Sequence, residues 1–502
     1  MSETGTEPRP LADRLPDPTR AANVTYDPSL ERLRELAADD ERTTEYGSAS
    51  YVSEVRSRSA DRTKNAIDDE FTPADEALLE GAVDAAADRE LLCVDRLMGR
   101  HPDATFCCRL YVPREYARIA FAWAKLFEPA DGREPDFRTV QLPDHDELAI
   151  RVLPDEGLTA VLGSDYTGEA KKSFLRLFML AAKRRGGLGL HAGSKRVRVE
   201  VDGELREVGQ VFLGLSATGK STLTSHGLRL ESPEEAVMLQ DDVCALLPDG
   251  SVAGSEGGGL YIKTIGLTEA EQPDLHDAAT AESAVLENVA VDPDGTVDFE
   301  ADRYTRNSRA VIDRETLDSA AAEIDLPRID QLFFITRNPL MPPVAKLTER
   351  QAAVAFMLGE SIETSAGDPS RAGESIRVVG TNPFIVGPEG EEGNRFRELT
   401  ASLDVDCFII NTGYVGSEEV DVGVAESVTI LRELARGTVE WTDDERTGLT
   451  IPESIPGLDV DAYYVPDHVE EYDAAVADLR EERRNYLEGF PTLDPAIRGS
   501  IY

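Results

Sequence analysis

The stretch VGQVFLGLSATGKST, residues 208–222, places an apolar run directly before a glycine-rich loop. From Gly214 to Ser221 it matches the pattern G-x-x-x-x-G-K-[ST], in which glycines let backbone N–H groups turn toward phosphate oxygens. The apolar run predicts a strand, and the residues from Lys220 onward are compatible with a helix. A phosphate-binding loop requires a strand, a loop and a helix in this order. We therefore predict an α/β fold with a nucleotide-binding domain built around this loop.

The loop residues have separate expected roles. Lys220 is expected to neutralise the β- and γ-phosphates of a nucleotide, and the Ser221 hydroxyl to ligate Mg²⁺. The alternative is an ordinary glycine-rich turn, which the flanking strand and helix disfavour. The predicted nucleotide contacts are Gly214, Leu215, Ser216, Ala217, Thr218, Gly219, Lys220, Ser221 and Thr222.

A second apolar run, at 237–239, ends in Gln240-Asp241-Asp242. Beside a phosphate loop of this kind, an acidic strand end binds metal directly or through water. Acidic pairs are common in this chain, so the position of Asp241-Asp242 downstream of the phosphate loop is the observation that favours a metal site. Apolar runs at 197–201, 332–336 and 407–411 predict further central strands of the same domain.

The charge balance excludes some classes of partner. The 502 residues include 96 Asp and Glu against 52 Lys and Arg, a formal net charge of −44. Such a surface repels nucleic acid and anionic lipid, so we expect small-molecule substrates and neither nucleic acid nor membrane. Lysine is rare, with nine residues. Dispersed carboxylates with few lysines predict a halophilic protein, since salt screens self-repulsion; an acidic protein of an ordinary cytosol is the alternative.

Cysteine usage and hydropathy bear on the compartment. The five cysteines include no C-x-x-C pair, and their odd number fits buried thiols in a reducing compartment. The N-terminus lacks a basic, apolar signal sequence, and no apolar run reaches membrane-spanning length. A cytoplasmic location is therefore expected. The oligomeric state stays open, with a monomer favoured.

Composition and pattern predict three parts of the chain. Residues 1–45 are expected to form a loosely ordered acidic extension with one helix at 30–38. Residues 46–186 alternate helical stretches with short apolar runs and are expected to form an N-terminal substrate-binding domain with a mixed sheet. Residues 187–502 are expected to form the C-terminal nucleotide-binding domain, also with a mixed sheet. Within it, the glycine-rich residues 366–373 have the composition of a mobile loop.

Several segments outside the loop complete a pattern. In chain order these are YTGEAKK (166–172), His191, the phosphate loop, Asp241-Asp242, EGGGLYIKT (256–264), LENV (286–289), DGTVDF (294–299), NSR (307–309), PPVAKLT (342–348) and NTG (411–413). In order and spacing they resemble ATP-dependent phosphoenolpyruvate carboxykinase, from about residue 58 to about residue 437. The resemblance implies a two-domain enzyme of gluconeogenesis that converts oxaloacetate and ATP to phosphoenolpyruvate, ADP and CO₂. It also implies that residues 366–373 form a lid loop.

The resemblance implies two divalent metals, usually Mn²⁺ at the substrate and Mg²⁺ with ATP. Lys172, His191 and Asp242 are the implied ligands of Mn²⁺, and Ser221 is that of Mg²⁺. A neutral lysine as ligand needs a lowered pKa, which nearby cations and the metal can supply. For His191 the alternative is a core histidine with satisfied hydrogen bonds.

The resemblance also assigns catalytic side chains. Lys220 and Lys263 are implied to contact the transferring phosphoryl group, and Arg309 to span the substrate and the nucleotide's γ-phosphate. Arg58 and Tyr166 are implied to bind the oxaloacetate carboxylates or CO₂. The alternatives are a core tyrosine at 166, a surface ion pair at 309, and for Arg58 an ordinary place in an Arg- and Ser-rich stretch.

The chain departs from the family pattern at a few positions. Ala217 stands where glycine is usual, and Val243-Cys244 stand where Glu-His is usual, which removes expected support for the metal ligands. Asp421 falls where the family carries an arginine that stacks on adenine, and Gln272 replaces a glutamate on the adenine side. We therefore expect ATP to be used but to be discriminated less sharply from GTP.

Two other functions are compatible with a phosphate loop. A protein kinase of the HPr-kinase type shares a related core, but it has no use for Lys172, His191 and Arg309 together. A nucleotide-binding regulator that has lost catalysis would have lost the metal ligands, and the sequence retains them.

Overall fold

The structure is a computed structural model that describes residues 9–55, 60–215, 218–270, 272–362, 374–417 and 419–502. Three predicted site residues, Arg58, Ser216 and Ala217, lie outside the described residues. The predicted lid at 366–373 also lies outside them.

Strands and helices are numbered in chain order. The strands are β1 (Val24–Tyr26), β2 (Arg42–Thr43), β3 (Ala49–Tyr51), β4 (Thr63–Asn65), β5 (Leu91–Met98), β6 (Phe106–Pro113), β7 (Glu128–Pro129), β8 (Phe137–Leu142), β9 (Ala149–Leu153), β10 (Leu158–Leu162), β11 (Leu188–Leu190), β12 (Ala192–Val201), β13 (Glu204–Gly214), β14 (Glu235–Gln240), β15 (Cys244–Leu246), β16 (Val252–Gly254), β17 (Gly259–Lys263), β18 (Val285–Glu287), β19 (Ala290–Val291), β20 (Val297–Asp298), β21 (Arg309–Asp313), β22 (Gln331–Thr336), β23 (Val344–Leu347), β24 (Glu360–Ile362), β25 (Ser375–Arg377), β26 (Asp406–Asn411), β27 (Glu440–Asp444) and β28 (Leu449–Ser454). The helices are α1 (Leu30–Leu36), α2 (Pro73–Asp88), α3 (Ala117–Leu126), α4 (Thr167–Arg184), α5 (Lys220–Ser225), α6 (Pro273–Ala279), α7 (Glu349–Leu358), α8 (Glu389–Leu403), α9 (Val424–Arg436), α10 (Tyr472–Glu488) and α11 (Pro495–Arg498).

The chain divides into two compact units. The first takes Met1–Phe178 and Glu256–Asp318, and the second takes Met179–Ser255 and Ser319–Tyr502. The prediction of a nucleotide-binding domain over residues 187–502 is wrong for residues 256–318. They belong to the first unit because β17, β21 and β18 form one sheet with β3 and β2, in which Val285 pairs with Ala49.

The first unit contains a mixed sheet in the order β1-β5-β6-β8-β10-β9-β4. Apolar residues on one face of this sheet form a core with α2, in which Leu79 and Val83 are buried. β1 pairs in parallel with β5, and Val24 lies opposite Leu91. The expectation of a loosely ordered extension therefore does not hold for the described residues 9–45, although the helix expected at 30–38 is present as α1.

The second unit contains a mixed sheet in the order β14-β12-β13-β22-β26-β23-β28-β27. Successive side chains of its central strands point to opposite faces. On one face Phe212, Phe333 and Phe408 stack with ring centroids 5.1 and 5.4 Å apart. The alternate positions, such as Leu213 and Phe334, belong to a second core on the other face. This sheet is therefore buried on both sides, which explains its continuous apolar runs.

The architecture is mixed α/β, as predicted, with mixed sheets in both units. The strands expected around the phosphate loop are all present as β12, β13, β14, β22 and β26. Within the described residues, no helix is long and apolar enough to span a membrane.

Candidate active site

The phosphate loop lies at one edge of the second unit's sheet. β13, β22 and β26 run parallel, so their carboxyl ends at Gly214, Thr336 and Asn411 meet at this edge. β14 is antiparallel to β12, and β12 is antiparallel to β13, so β14 ends at the same edge. Ligands of such sheets bind outside the carboxyl ends of the strands. This edge is therefore the candidate nucleotide site.

Local hydrogen bonds hold the loop on the sheet. Gly219 has a φ of 96°, which favours glycine, and α5 follows it directly. Thr218 is buried, and its hydroxyl donates to the Leu215 carbonyl at 2.8 Å. The hydroxyl of Thr412 donates to the Thr218 carbonyl at 2.7 Å and so ties the loop to the end of β26.

Lys220 carries an ammonium group that makes no hydrogen bond to the described residues. Its Nζ is buried and has no hydrogen-bond partner among the described residues. The carboxylate of Asp242 lies 3.8 Å away, beyond hydrogen-bond distance. A buried ammonium group without hydrogen bonds is costly. The arrangement fits a lysine whose hydrogen bonds are made to the phosphates of a bound nucleotide.

Two carboxylates follow the end of β14 at this edge. The Ser221 hydroxyl donates to Asp241 Oδ2 at 3.2 Å, and the neighbouring Asp242 approaches Lys220 and His191. A hydroxyl and a carboxylate at the end of a phosphate loop are oxygen ligands of the kind that Mg²⁺ takes.

His191 stands between β11 and β12 with both ring nitrogens engaged. Its Nδ1 lies 2.6 Å from the Thr381 carbonyl, and its Nε2 lies 3.2 Å from Asp242 Oδ1. A carbonyl can only accept, so Nδ1 carries the proton and donates. In the neutral imidazole, Nε2 then presents a lone pair toward Asp242.

The His191–Asp242 pair fits a divalent cation. Two lone pairs facing each other repel unless a proton or a cation lies between them. Adjacent ligands of an octahedral metal with bonds of about 2.1 Å are about 3 Å apart. Among the described residues, no group of three or more His, Cys, Asp or Glu could hold a metal by itself. Further ligands of another type, such as an amine, a hydroxyl or water, are required.

In the first unit, Asn307 links the predicted residues Tyr166 and Arg309. The Asn307 amide donates to the Tyr166 hydroxyl at 3.1 Å, and its carbonyl oxygen accepts from Arg309 Nη2 at 2.9 Å. The Arg309 guanidinium lies 5.6 Å from the ring centroid of Tyr261. Asn307 therefore fixes the phenol and the guanidinium relative to each other.

Lys263 joins this group through strand pairing. In the antiparallel pair of β17 and β21, Lys263 lies directly opposite Arg309. Directly opposite residues of an antiparallel pair project from the same face of a sheet. Two cations therefore stand side by side on this face, where they can bind an anionic ligand.

The adjacent lysines of α4 differ in their surroundings. Lys171 is buried and forms an ion pair with Glu256 at 3.0 Å. Lys172 is half-buried, donates to Glu169 at 3.0 Å and lies 5.4 Å from the ring centroid of Tyr166. Of the two, Lys172 is therefore the one beside Tyr166.

Comparison with known proteins decides the family. The phosphoenolpyruvate carboxykinase family matches residues 22–461, most of the chain. The chain belongs to this family. Phosphoenolpyruvate carboxykinase (ATP) of Aeropyrum pernix is 36% identical over 484 residues, which are 94% of this chain and 96% of that protein. The proteins of the same name from Mesorhizobium japonicum and Alkaliphilus oremlandii are 29% and 26% identical. Their alignments cover 62% and 83% of this chain and 57% and 81% of those relatives.

Membership of the phosphoenolpyruvate carboxykinase family confirms the function and the fold class predicted from the sequence. The chain is an ATP-dependent enzyme that acts on small molecules and depends on divalent metal. No match favours the protein kinase or the non-catalytic regulator.

The family's usual Glu-His pair is replaced by two core residues. Val243 and Cys244 are fully buried, and burial raises the pKa of the Cys244 thiol to about 12. A thiol of that kind is inert and does not orient a metal ligand. In this carboxykinase the His191 Nδ1–H instead donates a hydrogen bond to the Thr381 carbonyl, which fixes the ring and its tautomer.

Sequence reasoning missed the residues that hold the predicted ones in place. Asn307 and Tyr261 stand within the motifs NSR and EGGGLYIKT, but the sequence alone assigns them no role. Glu287 is buried, accepts from the Thr167 N–H at 3.0 Å and from the Tyr261 hydroxyl, and burial raises its pKa. For Asn307 and Tyr261 the available signal was their place two residues from Arg309 and Lys263, and for Glu287 it was the LENV motif alone. The Thr381 carbonyl had none, because it comes from a distant and unremarkable segment.

Proposed function

We propose that this carboxykinase converts oxaloacetate and ATP to phosphoenolpyruvate, ADP and CO₂ in gluconeogenesis. The observation that carries the proposal is the group of Tyr166, Asn307 and Arg309, with Lys263 on the same sheet face as Arg309. Two cations and two neutral hydrogen-bonding groups match the carboxylates and the keto group of oxaloacetate.

The reaction proceeds in two balanced steps. Decarboxylation breaks the bond between C3 and the C4 carboxylate, CO₂ leaves, and the electron pair becomes the enolate of pyruvate. The enolate oxygen then bonds to the γ-phosphorus of ATP while the bond to the β,γ-bridging oxygen breaks, which releases ADP. No strong general base is needed, so positioning and charge neutralisation supply most of the catalysis.

The chain's own residues divide this work. Lys220 and Lys263 neutralise the transferring phosphoryl group, and Arg309 binds both the substrate and the γ-phosphate. Tyr166 binds a substrate carboxylate or CO₂ through its hydroxyl, which Asn307 orients. Arg58 is assigned to the same task by resemblance to the family.

Two divalent metals are proposed. Lys172, His191 and Asp242 would hold Mn²⁺, and Ser221 would hold the Mg²⁺ of the nucleotide. When bound, the metals supply positive charge that stabilises the negative oxygen atoms of the reaction. The His191 tautomer and the Lys220 ammonium group without hydrogen bonds support this assignment. Lys172 would exchange its ion pair with Glu169 for a metal bond as a neutral amine.

The enzyme is proposed to be a cytoplasmic, halophilic monomer. A net charge of −44 and nine lysines support adaptation to salt. Self-repulsion should lower the melting temperature in dilute buffer, and KCl should raise it by screening. A melting temperature that is the same in dilute and in molar KCl would contradict this part of the proposal.

The decisive assay measures phosphoenolpyruvate formation from oxaloacetate and ATP in high salt, with and without Mn²⁺. We expect product only when divalent metal is present, and more with Mn²⁺ added to Mg²⁺. A folded protein that forms no phosphoenolpyruvate under any of these conditions would refute the proposal. The Lys220→Ala protein is the matched negative control.

A further inference from the structure

A guanidinium group with an unsatisfied nitrogen lies at the same sheet edge as the phosphate loop. Arg337 directly follows β22, the strand beside β13. Its backbone is satisfied, because its N–H donates to the Ser361 hydroxyl at 3.2 Å and its carbonyl accepts from the Ile362 N–H at 3.1 Å. Its side-chain Nε is buried and finds no hydrogen-bond partner in the described part of the chain.

The Arg337 side chain lies against backbone that follows β26. A Cβ added at Gly413 would be 3.2 Å from the Arg337 Cβ and 3.4 Å from its Cγ, so the aliphatic stem packs on this glycine. Burial lowers the pKa of Arg337, and the Asp421 carboxylate acts in the opposite direction. A partly desolvated guanidinium with an unsatisfied donor is costly, so a complementary ligand is expected there.

The order of strands shows which end of a nucleotide Arg337 would meet. Along the edge the order is β14, β12, β13, β22 and β26. The groups suited to the terminal phosphate and its metals, Asp241, Asp242 and His191, lie on the β12 and β14 side of the loop. Arg337 lies on the opposite side, after β22. A triphosphate with its terminal phosphate toward β14 therefore extends its nucleoside toward β22 and β26.

We propose that Arg337 binds the base of the nucleotide, with its guanidinium plane stacked on the purine ring. Arginine stacks on aromatic faces through its planar, weakly hydrated cation. Stacking needs no hydrogen bonds to the base edges, so it supplies affinity without discriminating among purines. Asp421 then orients the guanidinium and does not itself contact the base. This inference rests on the proposed nucleotide site at the loop.

The test compares ATP with inorganic tripolyphosphate, which has the phosphates but no base. Affinities of the full-length protein for each are measured by calorimetry at fixed Mg²⁺ and high salt. In Arg337→Ala we expect ATP binding to weaken about tenfold or more, as for the loss of one base stack. Tripolyphosphate binding should stay within about twofold of the wild type, because stacking involves the base alone.

Two further variants separate the alternatives. Arg337→Lys keeps the positive charge but loses the planar guanidinium, so it should weaken the binding of ATP and leave that of tripolyphosphate unchanged. It decides the question if the Arg337→Ala protein does not fold. Arg196→Ala is the matched control, because Arg196 also has a buried, unsatisfied Nε but pairs with Glu235 at 4.0 Å. It should bind both probes normally.

Several results would overturn the inference. Equal weakening of ATP and tripolyphosphate in Arg337→Ala would make Arg337 a phosphate contact. Unchanged ATP affinity in Arg337→Ala or Arg337→Lys would exclude a base stack. Lys220→Ala should weaken the binding of both ATP and tripolyphosphate. If it weakens the binding of neither, the proposed phosphate site is wrong, and so is the inference that rests on it.

Discussion

Replacing Asn307 by alanine tests whether the substrate cluster acts as a unit. Asn307 is half-buried and makes two hydrogen bonds, at 3.1 Å to the Tyr166 hydroxyl and at 2.9 Å from the Arg309 guanidinium. A hydrogen bond to a charged group contributes about 1.5–3 kcal/mol and a neutral one about 0.5–1.5 kcal/mol. Because the site is partly exposed, we expect a combined cost of about 2–3 kcal/mol, from the lower part of these ranges.

That cost should appear in the reaction with oxaloacetate. It corresponds to a fall in kcat/KM for oxaloacetate of roughly 30- to 150-fold, because each 1.36 kcal/mol is a factor of ten. The affinity for ATP measured without oxaloacetate should fall much less, because Asn307 is not itself a predicted nucleotide contact. The assay is phosphoenolpyruvate formation at saturating ATP and metal, with oxaloacetate varied.

The matched control is Asn394→Ala. Asn394 also makes two hydrogen bonds, donating to the Thr492 carbonyl at 2.8 Å and accepting from the Asp494 N–H at 2.8 Å. Asn394 lies on α8, far in sequence from every predicted site residue. The Asn394→Ala substitution should therefore lower the melting temperature but leave kcat/KM unchanged. An Asn307→Ala enzyme with near-normal kcat/KM would refute the role of the cluster, as would an equal loss in both variants.

Three further predictions concern single lysine or histidine side chains. The Lys220→Ala protein should fold normally, but its turnover should fall by roughly 10³ or more, because the transferring phosphoryl group loses its cation. Near-normal turnover would refute the assignment of residues 214–221 as the phosphate-binding loop. His191→Ala should lose Mn²⁺ affinity, measured by electron paramagnetic resonance, and keep nucleotide affinity; unchanged Mn²⁺ affinity would make His191 a structural residue. Lys195 is fully buried, which lowers its pKa to about 7. Above pH 7 the unfolded chain binds the proton that the folded chain lacks, so the free energy of unfolding should rise by up to about 1.4 kcal/mol per pH unit toward pH 10. Lys195→Met should remove this slope in denaturant titrations, and an unchanged slope would assign it to other groups.

The phosphate edge could be predicted because its signals are local. The strands there are apolar runs; β13 ends at Gly214, where the loop pattern begins, and Asp241 directly follows β14. Strand direction then follows from the fold class, and parallel strands bring their carboxyl ends together. The contact of Ser221 with Asp241 needs no more information than this.

The unit boundary could not be predicted in the same way. Residues 256–318 contain short strands whose apolar pattern does not name a partner. Their assignment depends on pairing with residues more than 200 positions away, as Val285 pairs with Ala49. The same holds for Val24–Tyr26, which is too short and too polar to be identified before its partner β5 is known.

Within the site, the reactive side chains could be identified but their supports could not. Lys263 and Arg309 are chemically distinctive and stand in motifs. By contrast, the carbonyl of Thr381 has the same chemistry as every other carbonyl, and only the folded chain brings it to His191. Arg337 is one of 43 arginines, and its unsatisfied Nε becomes visible only once its neighbours are known.

The few lysines of this chain show why a compact cation was kept. Lys171 and Lys183 form ion pairs with the buried carboxylates of Glu256 and Glu392, and Lys195 is fully buried. An arginine at these places would need more volume and a planar set of acceptors. In a chain that otherwise uses arginine, a buried lysine amine therefore indicates surroundings that accept a compact group in place of a planar one. The Nζ of Lys220 is buried and has no hydrogen-bond partner among the described residues, so the same reasoning gives it an anionic ligand.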